Sequence, residues 1–197
     1  TNYFSSFPAN DATLDYVLGL EADRMVNSFV AKKDLDSEMT VVRNELERNE
    51  NNPGSVLGQR LRSTAYLWHN YGNTTIGARS DVEHVPIERL QAFYRTWYQP
   101  DNAVLIVAGR FDAAKVLATI QAKFGALKKP SRALPVAYTA EPTQDGEREI
   151  AVRRSGDIRI TSLAYHVPAA THADTPPLIV LANFLSPGPA AALPRAL

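Results

Sequence analysis

Ala103-Val104-Leu105-Ile106-Val107-Ala108 is a continuous apolar run rich in β-branched side chains, closed by Gly109. A short run of this kind between turn residues reads as a buried strand. It constrains the rest of the chain, because helix-periodic segments lie on both sides of it. Two further strand candidates follow, Arg148–Arg153 and Ile158–Val167. The order is helices, strand, helix, two strands, helix. That order predicts an α+β fold, with helices packed on one face of a mainly antiparallel sheet.

The helical segments carry their own punctuation. Asn10-Asp11-Ala12-Thr13 offers short polar caps, and Leu14, Val17, Leu18, Ala22, Met25 and Phe29 follow at helical spacing. A second helix is expected over Asp36–Glu50, ended by Asn51-Asn52-Pro53-Gly54. A third is expected over Val56–Trp68, before a turn at Asn70–Asn73. Pro86 suits the first turn of a helix reaching Tyr98. Asp112 caps another over Ala113–Phe124, stopped by Gly125, and a last one spans Pro177–Leu185. Residues 1–128 therefore read as one lobe and 148–197 as the start of a second. Residues 129–147, rich in Pro, Ala, Glu and Gly, read as a linker or surface crossing.

Composition excludes several functions. Lys+Arg and Asp+Glu both number 21 in 197 residues, so the basic excess of a nucleic-acid binder is missing. Cysteine is absent, which removes disulfides, thiolate metal sites and thiol nucleophiles. No apolar stretch approaches the roughly 20 residues of a membrane span. The start, Thr1-Asn2-Tyr3-Phe4, has neither a basic nor an apolar signal region. Gly54-x-x-x-Gly58 lacks the Lys-Ser/Thr of a phosphate loop, and no Gly-x-Ser-x-Gly elbow occurs.

The informative chemistry lies in Asp36–Glu47. Glu38 and Glu45 stand nearly two helical turns apart, so both point the same way. Val41 and Val42 fall between them on that face, which would make the stripe partly buried. Glu47 falls on the opposite, solvated face. A buried carboxylate is normally paired or bound to a metal. On this helix alone two readings stay open. Glu45 is a metal ligand with Glu38 supporting it, or both pair with Arg or Lys at the stripe's edge.

The remaining candidates have plainer readings. His69, with Tyr71 and Gly72, suits a turn better than a substrate cleft. His84 reads as a surface or capping residue, His166 as a hydrogen-bonded strand residue and His172 as solvated. Phe93, Tyr94, Trp97 and Tyr98 read as an aromatic core cluster. Arg153-Arg154 reads as a solvated strand end rather than a contact for acidic peptide.

Glu38-Met39-Thr40-Val41-Val42-Arg43-Asn44-Glu45 resembles the segment of pitrilysin/insulinase-type peptidases that supplies their distal zinc ligand. His69–Gly77, Leu90–Ala103 and Val104–Asp112 resemble the same family in the same order. The resemblance implies a partial half-domain of a zinc metalloendopeptidase, with residues 1–128 the C-terminal part of its zinc-binding lobe. It implies two His ligands and a catalytic Glu in His-x-x-Glu-His, with Glu45 as distal ligand and Glu38 supporting the site.

None of His69, His84, His166 or His172 begins that motif, so it is expected before Thr1. The chain alone is accordingly expected to be inactive and to hold no zinc, although the full-length protein would. The alternative is a non-catalytic homologue that serves as scaffold or partner subunit. Implied partners are peptide substrates and a second half-domain, in the same chain or a partner subunit. Neither nucleic acid nor a membrane span is expected, and a periplasmic location is implied by resemblance only. Ser186–Arg195 departs from the family, since Pro194 would break the helix expected there.

Overall fold

The computed structural model describes residues 1–157 and 159–186, together with Ala192. Among these residues the regular structure is helical. The α-helices are α1 (Asp11–Asn27), α2 (Lys32–Asn51), α3 (Pro53–Ala65), α4 (Arg79–His84), α5 (Ile87–Trp97), α6 (Ala113–Phe124) and α7 (Thr175–Leu185). Short 3-10 turns occupy Asn70–Gly72 and Pro100–Asn102.

The expected antiparallel sheet is overturned: the described residues contain no strand. Ala103 is extended, at φ −130° and ψ 147°, yet no ladder forms on the run it opens. Val104 and Ile106 are 87% and 80% exposed, so the run is not buried either. β-Branched residues favour a pleated, half-buried surface, and that preference needs a neighbouring strand to act on. None is present among the described residues. The same holds for Arg148–Arg153 and for the described part of the later candidate, where Leu163 and Val167 are exposed. Ile158 lies outside the described residues, as does most of the Ser186–Arg195 segment.

The helix boundaries follow local chemistry. The Asn10 side chain accepts the Thr13 N–H at 3.0 Å at the start of α1. Asp112 does the same for Lys115 at α6, also at 3.0 Å, and Gly125 closes that helix. Pro53 opens α3 rather than breaking the chain, since its missing N–H costs nothing in a first turn.

The chain divides into two compact units. The first comprises Thr1–Asn52 and Asn73–Ala140, and holds α1, α2, α4, α5 and α6. Within it α1 packs on α6 and α2 on α4. Leu18 and Ala22 of α1, Leu46 of α2, Val82 of α4 and Val116 of α6 are buried. Lys115 and Lys123 of α6 pair with Asp11 and Asp15 of α1 at 2.6 and 2.9 Å. The second unit comprises Pro53–Gly72 and Glu141–Leu197, with Val56 of α3 buried and the 3-10 turn packed on α3. Gly72 is required at that turn, because a Cβ there would lie 2.6 Å from the Tyr66 carbonyl oxygen.

Candidate functional site

α2 carries the two carboxylates singled out by the sequence. Glu38 and Glu45 are both exposed, and neither takes part in an ion pair among the described residues. At 3.6 residues per turn they lie within roughly 20° of each other around the helix axis. The apolar stripe expected between them is not a buried one. Val41 is 57% exposed, and the buried residue of α2 is Leu46, about 100° round from Glu45. One apolar anchor on a helix of twenty residues leaves most of its surface open.

The opposite side of α2 is tied to α4. Arg79, at the start of α4, brings Nη1 to 3.6 Å from Glu47 and 3.4 Å from Glu83, and Nη2 donates to Glu50. Glu47 is exposed, as expected, and has a cation at the edge of its solvated face. The hydrogen bond to Glu50 pushes the Arg79 pKa up, against partial desolvation, with the Glu83 carboxylate adding to the effect. Sequence reasoning missed this group, since nothing in the local pattern links Arg79 to residues 29 and 32 positions earlier.

In the second unit the turn after α3 gathers rings and charges. The His166 ring stacks on Tyr66, with centroids 4.7 Å apart, and His69 meets Tyr71 edge-on at 4.4 Å. The His69 Nδ1 accepts the Tyr71 N–H at 3.1 Å, so His69 is a turn residue, as its neighbours suggested. His166 is exposed and not in a strand. Glu141 accepts the backbone N–H groups of Leu67, Trp68 and His69 at 2.7, 2.9 and 2.9 Å. Desolvation opposes its ionisation, yet those three hydrogen bonds and the Arg148 charge outweigh it and hold its carboxyl below the usual carboxylate range. Sequence reasoning passed over Glu141 within the linker.

His84 Nδ1 lies 2.8 Å from the Ser80 carbonyl at the end of α4, and His172 Nδ1 accepts the Asp174 N–H at 3.2 Å. Phe93, Tyr94, Trp97 and Tyr98 do form a ring cluster, with Tyr94 and Tyr98 centroids 5.3 Å apart. It is not core, since no residue of α5 is buried. Arg153 and Arg154 are exposed, beside Val56 and Arg60 of α3 in a shallow cleft of this unit.

Glu45 suits zinc as one oxygen donor. A catalytic zinc centre takes about three protein ligands. Among the described residues no three His, Cys, Asp or Glu side chains come together as a metal site. These residues alone do not complete one.

Residues 84–197, more than half of the chain, match the peptidase M16 family as "Peptidase M16 inactive domain". The chain is 33% identical over 191 residues to the zinc protease PqqE of Helicobacter pylori, covering 95% of this chain and 43% of that protein. A solved structure of a protease from Helicobacter pylori superposes with a TM-score of 0.81 at 30% identity, over 94% of this chain and 45% of that one. The first half of the periplasmic protease PqqL from Escherichia coli gives 0.55 at 25% identity, over 64% and 28%.

The likeness to proteins named as proteases thus extends over nearly the whole of this chain. The chain belongs to the peptidase M16 family, the pitrilysin/insulinase group. It spans less than half the length of the curated relatives it matches. No helix among the described residues is long and apolar enough to cross a membrane.

Proposed function

We propose that these residues form part of a zinc metalloendopeptidase, to which Glu45 contributes the distal zinc ligand and Glu38 a supporting carboxylate. The observation that carries the reading is the open, unpaired α2 face bearing both carboxylates in a chain of the M16 family. Glu38 sits roughly 10 Å along the axis from Glu45, a spacing that suits support of the site better than sharing one ion. Zinc, when bound, lowers the pKa of its water to about 7 and polarises the scissile carbonyl. Its other two ligands would be the His pair of His-x-x-Glu-His, with the Glu between them as general base rather than ligand, and that motif does not occur in this sequence. The chain by itself is therefore inactive and holds zinc weakly.

Peptides are the proposed substrates, with a second half-domain supplied by the same polypeptide or by a partner subunit. A periplasmic location is the reading that the likeness to PqqL supports.

The test is Glu45→Gln in the natural polypeptide that carries these residues, with zinc measured after dialysis against a graded chelator. Zinc should be lost at far lower chelator than in the parent. Unchanged retention would remove Glu45 from the ligand set.

The description "inactive domain" favours a second reading, a non-catalytic homologue that acts as scaffold or partner subunit. Sequencing the gene upstream of the Thr1 codon separates the two. His-x-x-Glu-His there supports the peptidase, and an intact family segment without it supports the scaffold.

A further inference from the structure

We propose that Arg79 is a positioning residue for Glu45: its guanidinium holds the back of α2 to α4, and so fixes the direction in which the Glu38–Glu45 face points. The inference rests on the reading of Glu45 as a ligand given above.

The argument starts from how little else holds α2. One residue of the helix is buried, Leu46, and a single buried point lets a helix roll about its axis. Arg79 adds contacts at two further positions, Glu47 and Glu50, and a third to Glu83 on its own helix. Around the axis Glu47 lies roughly 200° and Glu50 roughly 140° from Glu45. Their mean direction is almost diametrically opposite Glu45. Leu46 gripping one flank and Arg79 the back leave one rotation for α2, and in it Glu38 and Glu45 face outward.

An isolated exposed ion pair would be too weak for this task, at about 0–1 kcal/mol. Here one guanidinium meets three carboxylates, and its planar fork sets angles as well as distances. A lysine at the same place would supply charge without the fork. The arrangement leaves Glu38 and Glu45 outside the network, so α2 is fastened by carboxylates other than those proposed for the metal. A carboxylate ligand is useful only when pre-aimed, and loss of a supporting contact typically weakens metal affinity about 10-fold or more.

The experiment is a double-mutant cycle on zinc retention in the natural polypeptide, using Arg79→Met, Glu45→Gln and the pair, with Arg79→Lys as the conservative variant. Arg79→Met is expected to weaken zinc retention about 10-fold, and Arg79→Lys to recover only part of it. In the Glu45→Gln background Arg79→Met should add nothing, because its effect passes through Glu45. If Glu45→Gln loses zinc but Arg79→Met does not, the positioning role is overturned and the ligand reading stands. Equal losses from Arg79→Met with and without Glu45 would also overturn it, since a general structural role behaves that way. If Glu45→Gln itself changes nothing, the ligand reading fails, and this inference fails with it. Should Arg79→Met not fold, Glu50→Gln removes the charge of one of the two α2 carboxylates that Arg79 holds. It should give a smaller loss with the same dependence on Glu45, and no loss would overturn the proposal.

Discussion

The Tyr94 hydroxyl donates to the Arg24 carbonyl at 2.9 Å and accepts the Ser28 N–H at 3.0 Å. Tyr94 is on α5, while Arg24 and Ser28 belong to the last turn and C-cap of α1. The final carbonyls of a helix have no partner within its regular bonding, and the Arg24 carbonyl accepts from the Ser28 hydroxyl at 2.9 Å as well as from Tyr94. One half-buried phenol thereby caps α1 and joins it to α5.

Tyr94→Phe keeps the ring and deletes both hydrogen bonds. At about 0.5–1.5 kcal/mol for each bond, the loss should come to about 1–3 kcal/mol. Urea unfolding should report it as a lower midpoint at unchanged slope. A midpoint equal to that of the parent would mean that water replaces the phenol at no cost.

The Tyr3 and Tyr98 hydroxyls lie 2.7 Å apart, and Arg24 sits 4.2 Å above the Tyr3 ring. The hydrogen bond with Tyr98, together with partial burial, pushes the Tyr3 pKa up to about 12. A raised pKa favours the protonated, folded form. The associated stability is complete below the ordinary value of 10.0 and disappears as the pH rises towards 12. Ultraviolet titration should resolve one late phenol, and Tyr98→Phe should bring that phenol back towards 10.0. An unmoved late phenol in Tyr98→Phe would assign the shift to burial alone.

Some of this was readable from the chain and some was not, and the difference is one of range. α6 is bounded by Asp112 and Gly125, both acting on neighbours within four residues, so its limits are written locally. The shared face of Glu38 and Glu45 follows from helical periodicity alone. α4 was not foreseen, because Arg79–His84 is short and has no apolar repeat beyond Val82. Ala103–Ala108 was misread for a related reason. Its composition states what a neighbouring strand would favour, but it does not supply the neighbour. Spacing assigns Val41 to a buried stripe, whereas burial depends on what stands opposite, and on α2 it falls to Leu46. The grip of Arg79 on Glu47 and Glu50 has no local signature at all.

Glu141 and Arg148 act together on the turn after α3. Glu141 accepts three consecutive N–H groups, while Arg148 Nη1 donates to the Thr64 carbonyl at 2.7 Å. The carboxylate thus fills a cradle of donors and the guanidinium covers the negative end of the helix. Glu141→Gln keeps one acceptor oxygen but removes the charge, and it should lower stability at pH 7 in a pH-dependent way. The pKa of Glu141 is held below its ordinary 4.5. Its contribution is therefore present above that value and is lost as the pH falls through the lower folded pKa. The parent should lose stability relative to Glu141→Gln below about pH 4.5, so that the two curves converge in acid. Thermal unfolding from pH 3 to 7 measures the gap, and a gap constant with pH would show that the charge of Glu141 contributes nothing. Arg148→Met should narrow the gap at pH 7 without closing it, because the three N–H donors remain in place.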